Sequence, residues 1–337
     1  MCYWNSLVVK LLAGARVTLK YSKHRLSSFP KTSSNIDVEA VFAYTKSVML
    51  HWRRDRTAFA ISGGGARGAA QVGMLRALIE RGITPDLIVG VSIGAWNGAW
   101  IAYRPDLDWV KQLEQVWRQV SRRTLDMVWW RAARNMVRRK PSLYEGGGLS
   151  RFVARHLQVH NFEDLAVPLH TVAIDLTMGT KAVFSHGALA PAVLASSAIP
   201  GVFPPVVIEG RQHVDGGLVD PTGLDTAIEL GARRVYVLDS GYAGRLPVPL
   251  GSMNAIVDHT FQIAAQHRTR WTIKQMGRAV EIIHLRPDAG FLRHSMDFGA
   301  TDFYLKEGYR FASEVLDARG KRRRAPERAP IAAPVYH

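Results

Sequence analysis

Residues 57–91 contain the pattern that most restricts the fold of this chain, because two apolar runs of strand length flank a glycine turn and an amphipathic segment. In the amphipathic segment the apolar residues recur at helical spacing, and Gly82 follows its last turn. Strand, turn, helix and strand in this order form a βαβ unit, which implies a parallel sheet with a right-handed crossover. The four parts are residues 57–62, Gly63-Gly64-Gly65, residues 68–81 and residues 86–91.

The rest of the body continues the alternation of strands and helices. Short apolar runs predict strands, and longer segments with a helical period predict helices. We therefore expect an α/β fold, a three-layer sandwich with a mostly parallel central sheet and helices on both faces. The predicted strands are 169–175, 181–184, a hairpin at 206–214, 234–239 and 280–285, and the predicted helices are 106–140, 191–198, 225–230, 252–277 and 302–317.

The net charge of +16 is concentrated in three segments. Residues 1–56 carry ten Lys or Arg against three acids, residues 118–140 carry eight against one, and residues 319–328 carry six against one. The remaining chain has 20 basic and 23 acidic residues, so the body is close to neutral. We expect a basic N-terminal extension at 1–56, a folded domain at 57–318 and a basic, proline-rich tail at 319–337 with the composition of disordered segments.

Cysteine content and hydropathy limit the compartment of the protein. Cys2 is the only cysteine, so the chain can form neither an internal disulfide nor a thiolate metal cluster. The apolar run at 7–15 is far shorter than the roughly 20 residues of a spanning helix. Residues 1–36 resemble a transit peptide in composition, but no secretory cleavage site follows an apolar stretch. We expect a cytoplasmic protein, either free or peripheral at the inner membrane surface.

The segment Gly90-Val91-Ser92-Ile93-Gly94 has the form G-x-S-x-G and lies where the second strand should turn into a helix. A serine on such a turn projects its hydroxyl, and the glycines on both sides permit a close approach of the backbone. The N–H dipoles at the start of the following helix stabilise negative charge that develops nearby. Its position at a strand end makes Ser92 the candidate nucleophile, with Gly90 and Gly94 forming the turn.

The glycine turn at residues 63–68, Gly-Gly-Gly-Ala-Arg-Gly, allows two interpretations. Glycine-rich turns before helices bind phosphate, but this one lacks the G-K-[ST] ending of a P-loop and the G-x-G-x-x-G spacing of a dinucleotide site. An oxyanion hole fits the pattern better. The backbone N–H groups of Gly64 and Gly65 would then point at a carbonyl oxygen held over Ser92.

Two aspartates compete for the role of base. Asp239 and His284 would complete a triad in the chain order of an α/β-hydrolase, but such enzymes place several strands before the nucleophile, whereas Ser92 follows the second. Asp215 precedes two glycines at the end of a hairpin, so it is either a turn residue or a base held close to the backbone. Strand alternation places His213 on the face of Asp215, where it either tunes the acid or has a structural role.

Four motifs in this order resemble the patatin-like phospholipase family, and they span most of the chain from residue 57 to about residue 285. They are GGGARG at 63–68, GVSIG at 90–94, ASSAIPGVFPPV at 195–206 and DGG at 215–217, accompanied by SLYEG at 142–146. The resemblance implies that 57–318 is a catalytic domain with a dyad, in which Ser92 is the nucleophile and Asp215 the base. It also implies an oxyanion hole from Gly63, Gly64 and Gly65 with Arg67 nearby, and a DGG motif completed by Gly216 and Gly217.

Such a dyad implies an acyl-enzyme at Ser92 and hydrolysis of acyl esters in phospholipid, lysophospholipid or neutral lipid. Asp215 is a weak base at the ordinary pKa of about 4, so burial in an apolar pocket must raise its pKa. No step asks for a metal or another cofactor. Two alternatives stay open, namely transfer of the acyl group to another alcohol and a non-catalytic membrane-binding protein on the same fold.

Residues 118–140 match none of these motifs and combine tryptophans with arginines. This pairing suits the headgroup zone of a bilayer, so the stretch is either a lid or docking surface for lipid, or a solvated helix whose tryptophans pack on the core. The basic segments predict peripheral contact with an anionic membrane. We do not expect nucleic-acid binding, because no zinc, helix-turn-helix or RNA-binding motif accompanies the charge.

Overall fold

The computed structural model describes residues 56–241, 249–277, 279–287 and 297–324. The predicted N-terminal extension up to residue 55 and the predicted tail beyond residue 324 lie outside the described residues. The strands are β1 Thr57–Ile61, β2 Leu87–Val91, β3 Leu169–Asp175, β4 Thr180–Phe184, β5 Val206–Ile208, β6 Arg211–Asp215, β7 Arg234–Leu238 and β8 Glu281–Leu285. The helices are α1 Gly68–Glu80, α2 Ile93–Tyr103, α3 Leu107–Gln119, α4 Trp129–Val137, α5 Gly147–His156, α6 Leu189–Ser196, α7 Leu224–Glu229, α8 Met253–Met276 and α9 Thr301–Arg324.

These strands form one mixed sheet. Its order is β5-β6-β3-β2-β1-β7-β8, and β4 pairs with β3 as well. β1, β2, β3, β7 and β8 pair in parallel, while β4 and β6 run antiparallel to β3. The predicted βαβ unit is present as β1, α1 and β2, and the sheet is mostly parallel as expected.

Two strands share one edge of β3, and this arrangement positions the site. β2 pairs with the first half of β3, where Val91 faces Val172. β6 pairs with the second half, where Asp215 faces Ala173. β4 pairs with residues in both halves and so takes the opposite edge. β2 and β6 therefore meet end to end, and the carboxyl ends of both strands lie at the meeting point.

Helices cover both faces of the sheet, and alternate residues of β1 show this division. Phe59 and Ile61 belong to a core that includes buried residues of α1, α2, α3 and α9. Ala58 and Ala60 belong to a second core with α7. Successive strand residues point to opposite faces, so both faces of β1 are buried. The predicted three-layer α/β sandwich is confirmed.

The predicted helix at 106–140 is wrong as a single element. The chain leaves the helical conformation at Val120, where ψ is 131°, and does not resume it until α4. Within the break Asp126 adopts a φ of 56°, and the Ser121 hydroxyl accepts a hydrogen bond from the Thr124 N–H. The serine hydroxyl thus competes with helical hydrogen bonding, and the positive φ of Asp126 does not fit a right-handed helix. Both features explain why the continuous pattern is interrupted.

The last helix extends beyond its predicted end and into the segment assigned to the disordered tail. α9 continues to Arg324 rather than ending near residue 317. The residues after 317 are rich in arginine and lysine, which are good helix formers and are favoured near a helix C-terminus, and the first proline is Pro326. In the described part of the chain, every helix is too short or too polar to cross a membrane.

Candidate active site

Ser92 lies at the sharp turn between β2 and α2. Its backbone has a φ of 55° and a ψ of −128°, a conformation that costs about 1–3 kcal/mol in a residue other than glycine. A side chain at Gly94 would collide with the backbone carbonyl of Ile61, and one at Gly90 would lie 2.5 Å from the Gly94 carbonyl oxygen. The packing of α2 on the sheet therefore requires glycine on both sides of Ser92.

Two serines at the C-terminal end of α6, the last helical residue and the one after it, hold this strained turn. The Ser92 N–H donates to the Ser196 hydroxyl oxygen at 2.9 Å, and the Ser196 hydroxyl donates to the Val172 carbonyl oxygen at 2.6 Å. The Ser197 hydroxyl donates to the Ser92 carbonyl oxygen at 3.2 Å. Both residues lie in the ASSAIPGVFPPV motif at 195–206, but their role does not follow from the motif alone. Serine pairs next to the strained turn could have been found only from the fold, since they lie more than 100 residues from Ser92.

The same segment also holds Asp215. The Asp215 N–H donates to the Ala198 carbonyl oxygen at 3.0 Å, so residues 196–198 contact both members of the predicted dyad. A side chain at Gly216 would lie 2.5 Å from the Val172 carbonyl oxygen, and the Gly217 N–H donates to Asp215 Oδ1 at 2.9 Å. The two glycines of the DGG motif thus allow the close packing and bind the carboxylate.

Asp215 is buried, and burial raises the pKa of its carboxyl group to about 6. A hydrogen bond with the Ser92 side chain and the bond from the Gly217 N–H oppose this rise, because they favour the ionised form. The two predicted dyad residues are therefore in contact. A carboxyl group with a pKa near 6 is a stronger base than an exposed aspartate and is still ionised at neutral pH.

His213 interacts with Asp175 rather than with Asp215. Its Nε2 lies 3.7 Å from Asp175 Oδ2, and both side chains are almost fully buried. Asp175 Oδ2 also accepts a hydrogen bond from Arg211 at 2.9 Å. Asp175 Oδ1 accepts hydrogen bonds from two backbone N–H groups in the following turn. Asp175 thus fixes two β6 side chains, those of Arg211 and His213, at the end of β3 and sets the register of the two strands. His213 therefore has a structural role.

The glycine turn between β1 and α1 faces Ser92. A side chain at Gly63 would lie 3.2 Å from Ser92 Cβ, and the Gly63 N–H donates to the Pro221 carbonyl oxygen at 3.2 Å. Among the residues that the structure describes, no acceptor contacts the N–H of Gly64 or Gly65. Both line the cavity that contains Ser92. These two groups, and not that of Gly63, are free to bind a substrate oxygen.

Arg67 lies behind this turn. Its side chain is 4% exposed, its Nε donates to the Gly64 carbonyl oxygen at 3.4 Å, and its Nη2 lies 3.9 Å from Asp258. Arg67 therefore contacts the backbone of the turn rather than the space above Ser92.

A buried chain of amides supports the turn, and the sequence did not reveal it. The Trp117 indole N–H donates to Asn97 Oδ1 at 2.9 Å, and Asn97 Nδ2 donates to Gln71 Oε1 at 2.8 Å. Gln71 Nε2 in turn donates to the Ser62 carbonyl oxygen at 2.7 Å, directly before the glycines. The chain links α1, α2 and α3 to the turn, so the position of Gly64 and Gly65 depends on all three helices.

Asp239 and His284 form a pair of their own. His284 Nε2 lies 2.8 Å from Asp239 Oδ2, and the Gly241 N–H donates to Asp239 Oδ1 at 2.8 Å. His284 is on β8, which β1 and β7 separate from β2. At the usual strand spacing this amounts to roughly 14 Å between β2 and β8. The structure thus does not bring His284 to Ser92, as the alternative triad would require.

Two cavities meet at Ser92. The mixed cavity, of about 170 Å³, is bordered by Gly64, Ser92, Asp215, Phe261, Gln262 and Arg286. The apolar cavity, of about 60 Å³, is bordered by Trp96, Trp117, Leu125, Met127, Phe152 and Phe203, and it also reaches Ser92 and Gly65. Among the described residues, no group of three or more His, Cys, Asp or Glu side chains could hold a metal ion.

Comparison with known proteins identifies relatives of this arrangement. The chain is 32% identical over 280 residues to patatin-like phospholipase domain-containing protein 6 of Mus musculus, which covers 77% of this chain and 20% of that protein. It is 32% identical over 181 residues to lysophospholipase NTE1 of Mycosarcoma maydis, which covers 54% of this chain and 9% of that protein. The chain thus spans about a fifth or less of the length of these relatives. The crystal structure of VipD from Legionella pneumophila matches with a TM-score of 0.42 and 15% identity, over 78% of this chain and 67% of that one.

The family model for patatin-like phospholipase matches residues 59–228. The matched region runs from β1 into α7 and takes in the glycine turn, the strained serine, the serine pair at the end of α6 and the buried aspartate. The family predicted from the order of the motifs is confirmed, and the chain belongs to the patatin-like phospholipase family.

Proposed function

We propose that the protein is a lipid acyl hydrolase in which Ser92 attacks an ester carbonyl and Asp215 accepts the serine proton. The observation that carries this proposal is the contact between the strained Ser92 and the buried Asp215, whose pKa is raised to about 6. Among the residues that the structure describes, the partners that affect the pKa of Asp215 are Ser92 and the Gly217 N–H, which supports activation of the serine by the aspartate.

The proposed reaction has two steps. In the first, Ser92 Oγ bonds to the carbonyl carbon, its proton passes to Asp215, and the alcohol of the lipid leaves with that proton. In the second, Asp215 takes a proton from water, the hydroxide attacks the acyl group on Ser92, and a fatty acid is released while the serine regains its proton. Each step leaves Asp215 ionised for the next.

The N–H groups of Gly64 and Gly65 are the proposed oxyanion donors. They lack a protein acceptor among the described residues and border the cavity at Ser92. Removing one such donor typically costs about 3 kcal/mol of transition-state stabilisation. Gly63 and Arg67 support this pair, since the Gly63 N–H is already bonded and Arg67 binds the Gly64 carbonyl oxygen.

The two cavities suggest how an ester lies across Ser92. We place the acyl chain in the apolar cavity, where twelve of the fifteen bordering residues have apolar side chains, and the alcohol portion in the mixed cavity beside Arg286 and Gln262. Burying a methylene group contributes about 0.8 kcal/mol, so the apolar cavity selects for chain length. Phospholipid, lysophospholipid and neutral lipid esters all meet this description. We propose that the protein acts from the cytoplasm, in peripheral contact with an anionic membrane.

The test is hydrolysis of p-nitrophenyl esters of increasing chain length by the wild type, Ser92→Ala and Asp215→Asn. We expect turnover by the wild type, an acidic limb in kcat/KM with an apparent pKa near 6, and loss of turnover in both variants. His284→Gln is the matched control and retains activity. A wild type that is inert on every ester and on vesicles would overturn the proposal in favour of a binding protein. Acylated alcohols formed on addition of acceptor lipid would identify an acyltransferase instead.

A further inference from the structure

The helix α4 exposes its apolar face and buries a polar side chain, the reverse of an ordinary surface helix. Its apolar side chains lie on one face and are exposed, with Trp129 79%, Trp130 48%, Met136 62% and Val137 84% accessible. The polar Asn135 points inward instead, and its Nδ2 donates to the Leu143 carbonyl oxygen at 3.1 Å. A helix on a globular protein normally buries its apolar stripe. The exposed apolar side chains of Trp129, Trp130, Ala133, Met136 and Val137 are called the α4 face below.

Cations surround the α4 face. The guanidinium groups of Arg131 and Arg134 lie 5.3 and 5.7 Å from the centre of the Trp130 ring. Arg131 is paired with Asp126, the single acid between residues 118 and 140, and Arg134 is paired with Glu145. Further exposed basic side chains continue at both ends of the helix. The exposed basic residues are Arg122, Arg123, Arg138, Arg139 and Lys140. This surface complements a partner that is apolar inside and anionic at its boundary.

We propose that the α4 face docks on an anionic lipid bilayer. Helices that lie in the bilayer interface carry Trp on the buried side and Arg or Lys at the edge, where the cations reach the lipid phosphates. α4 begins directly after Leu125 and Met127, which border the apolar cavity. Docking therefore brings the wall of that cavity to the membrane. Delivery of lipid to Ser92 rests on the proposed hydrolase activity, whereas docking itself does not.

A second exposed tryptophan serves as the matched control. Trp271 on α8 is 56% exposed, and Arg268 lies 5.4 Å from its ring centre. Arg268 is bonded to Asp225 through two nitrogen atoms, and the arginines beside Trp130 are likewise paired with acids. Trp271 thus matches Trp130 in exposure and stacking, and exposed Arg270 and Lys274 flank it. It differs in that the residues three and four positions away on α8 are all polar, so it is not part of an apolar face; they are His267, Arg268, Lys274 and Gln275.

The experiment measures partitioning of the full chain onto vesicles of ether-linked phosphatidylcholine, with or without about 30 mol% ether-linked phosphatidylglycerol. Ether lipids are used because an ester hydrolase does not consume them. The variants are W129S/V137S, R138E/R139E and the control W271S. Quenching of tryptophan emission by brominated lipid reports insertion, and hydrolysis of a soluble short-chain ester reports a folded active site.

We expect W129S/V137S to lose partitioning by about tenfold or more and to lose most of the quenching. R138E/R139E should lose the preference for the anionic vesicles, and W271S should behave as the wild type. Partitioning and quenching of W129S/V137S that equal the wild type, or an equal loss in W271S, would overturn the proposal. So would a wild-type dimer that W129S/V137S converts to a monomer, because the α4 face would then bind a second copy. Docking with no soluble-ester turnover would instead refute the hydrolase alone.

Discussion

Asp215 and Asp239 both lie at carboxyl ends of strands in the same sheet and both border the mixed cavity, but their partners differ. Asp239 binds an imidazole, that of His284, while Asp215 contacts the hydroxyl of Ser92, and no imidazole of the described residues contributes to its pKa shift. The Asp239–His284 pair resembles two members of a catalytic triad, but the order of the strands places His284 away from Ser92. Adjacency in the sheet, rather than the presence of a histidine, thus determines which acid contacts Ser92.

The largest effect that tests this difference is loss of catalysis in Asp215→Asn. We expect kcat/KM for a soluble ester to fall by about three to four orders of magnitude, because the amide cannot accept the serine proton. Combining it with Ser92→Ala should lower the rate no further, since the two residues act as a unit. Asp239→Asn, assayed in parallel, should stay within about tenfold of the wild type. Equal losses in the two asparagine variants would remove the distinction between the two acids.

A second test uses stability. The pKa of Asp215 is raised from 3.8 to about 6 in the folded protein, so the native state binds its proton more tightly than the unfolded state does. The contribution of Asp215 to stability is therefore lost as the pH rises from about 4 to 6, and Asp215→Asn should be more stable than the wild type at pH 8 by about 3 kcal/mol at most. At pH values below about 4 the difference should vanish.

Urea unfolding followed by circular dichroism at both pH values measures this difference. Asp239→Asn provides the comparison, since it removes a partner of His284 and should lower stability at pH 8. An Asp215→Asn variant that is less stable than the wild type at pH 8 would show that burial of the ionised carboxylate is not costly.

The third test concerns the hydrogen bonds by which Ser196 and Ser197 hold the turn at Ser92. Ser196→Ala removes the acceptor of the Ser92 N–H, so the strained turn should relax and kcat should fall by about 10- to 100-fold with little change in KM. Ser142→Ala removes another buried hydroxyl, which bonds the Tyr144 carbonyl oxygen, and should leave kcat unchanged. A rise in KM alone would mean that Ser196 contributes to binding and not to the position of Ser92.

The smallest effect should come from His284→Gln. Because His284 lies beyond β1 and β7 from the serine strand, kcat/KM should change by less than about threefold. Loss of the bond to Asp239 should cost about 1 kcal/mol of unfolding free energy. An activity loss comparable with that of Asp215→Asn would restore the triad.

Local patterns predicted the regular elements well. The apolar run at 169–175 is β3 to the residue, and the helix expected at 252–277 is α8, Met253–Met276. The hairpin predicted at 206–214 is formed by β5 and β6, and the two turn residues, Glu209 and Gly210, both have the positive φ that a two-residue type I′ turn requires. The break between α3 and α4 escaped prediction because apolar and basic residues continue at helical spacing through 120–128.

The candidate site was predictable only as a set of motifs. Ser92, Asp215 and the glycines each stand next to a recognisable turn, so their types and order carried the information. The end-to-end meeting of β2 and β6 on one edge of β3 did not follow, because it depends on β3 pairing with two segments that lie 81 and 42 residues away in the chain. For the same reason the roles of Ser196, Gln71 and Asn97 became visible only when the contacts were known.

The role of Asp175 bears on how members of this family are recognised from their sequences. This acid anchors Arg211 and His213 and thereby fixes β6 against β3. If the anchor is lost, a slip of one residue turns β6 over and presents Val214 to the serine in place of Asp215. A related chain that keeps every motif but lacks this acid would then lack the contact between serine and aspartate. The anchoring acid therefore belongs with the motifs when such a contact is inferred from sequence.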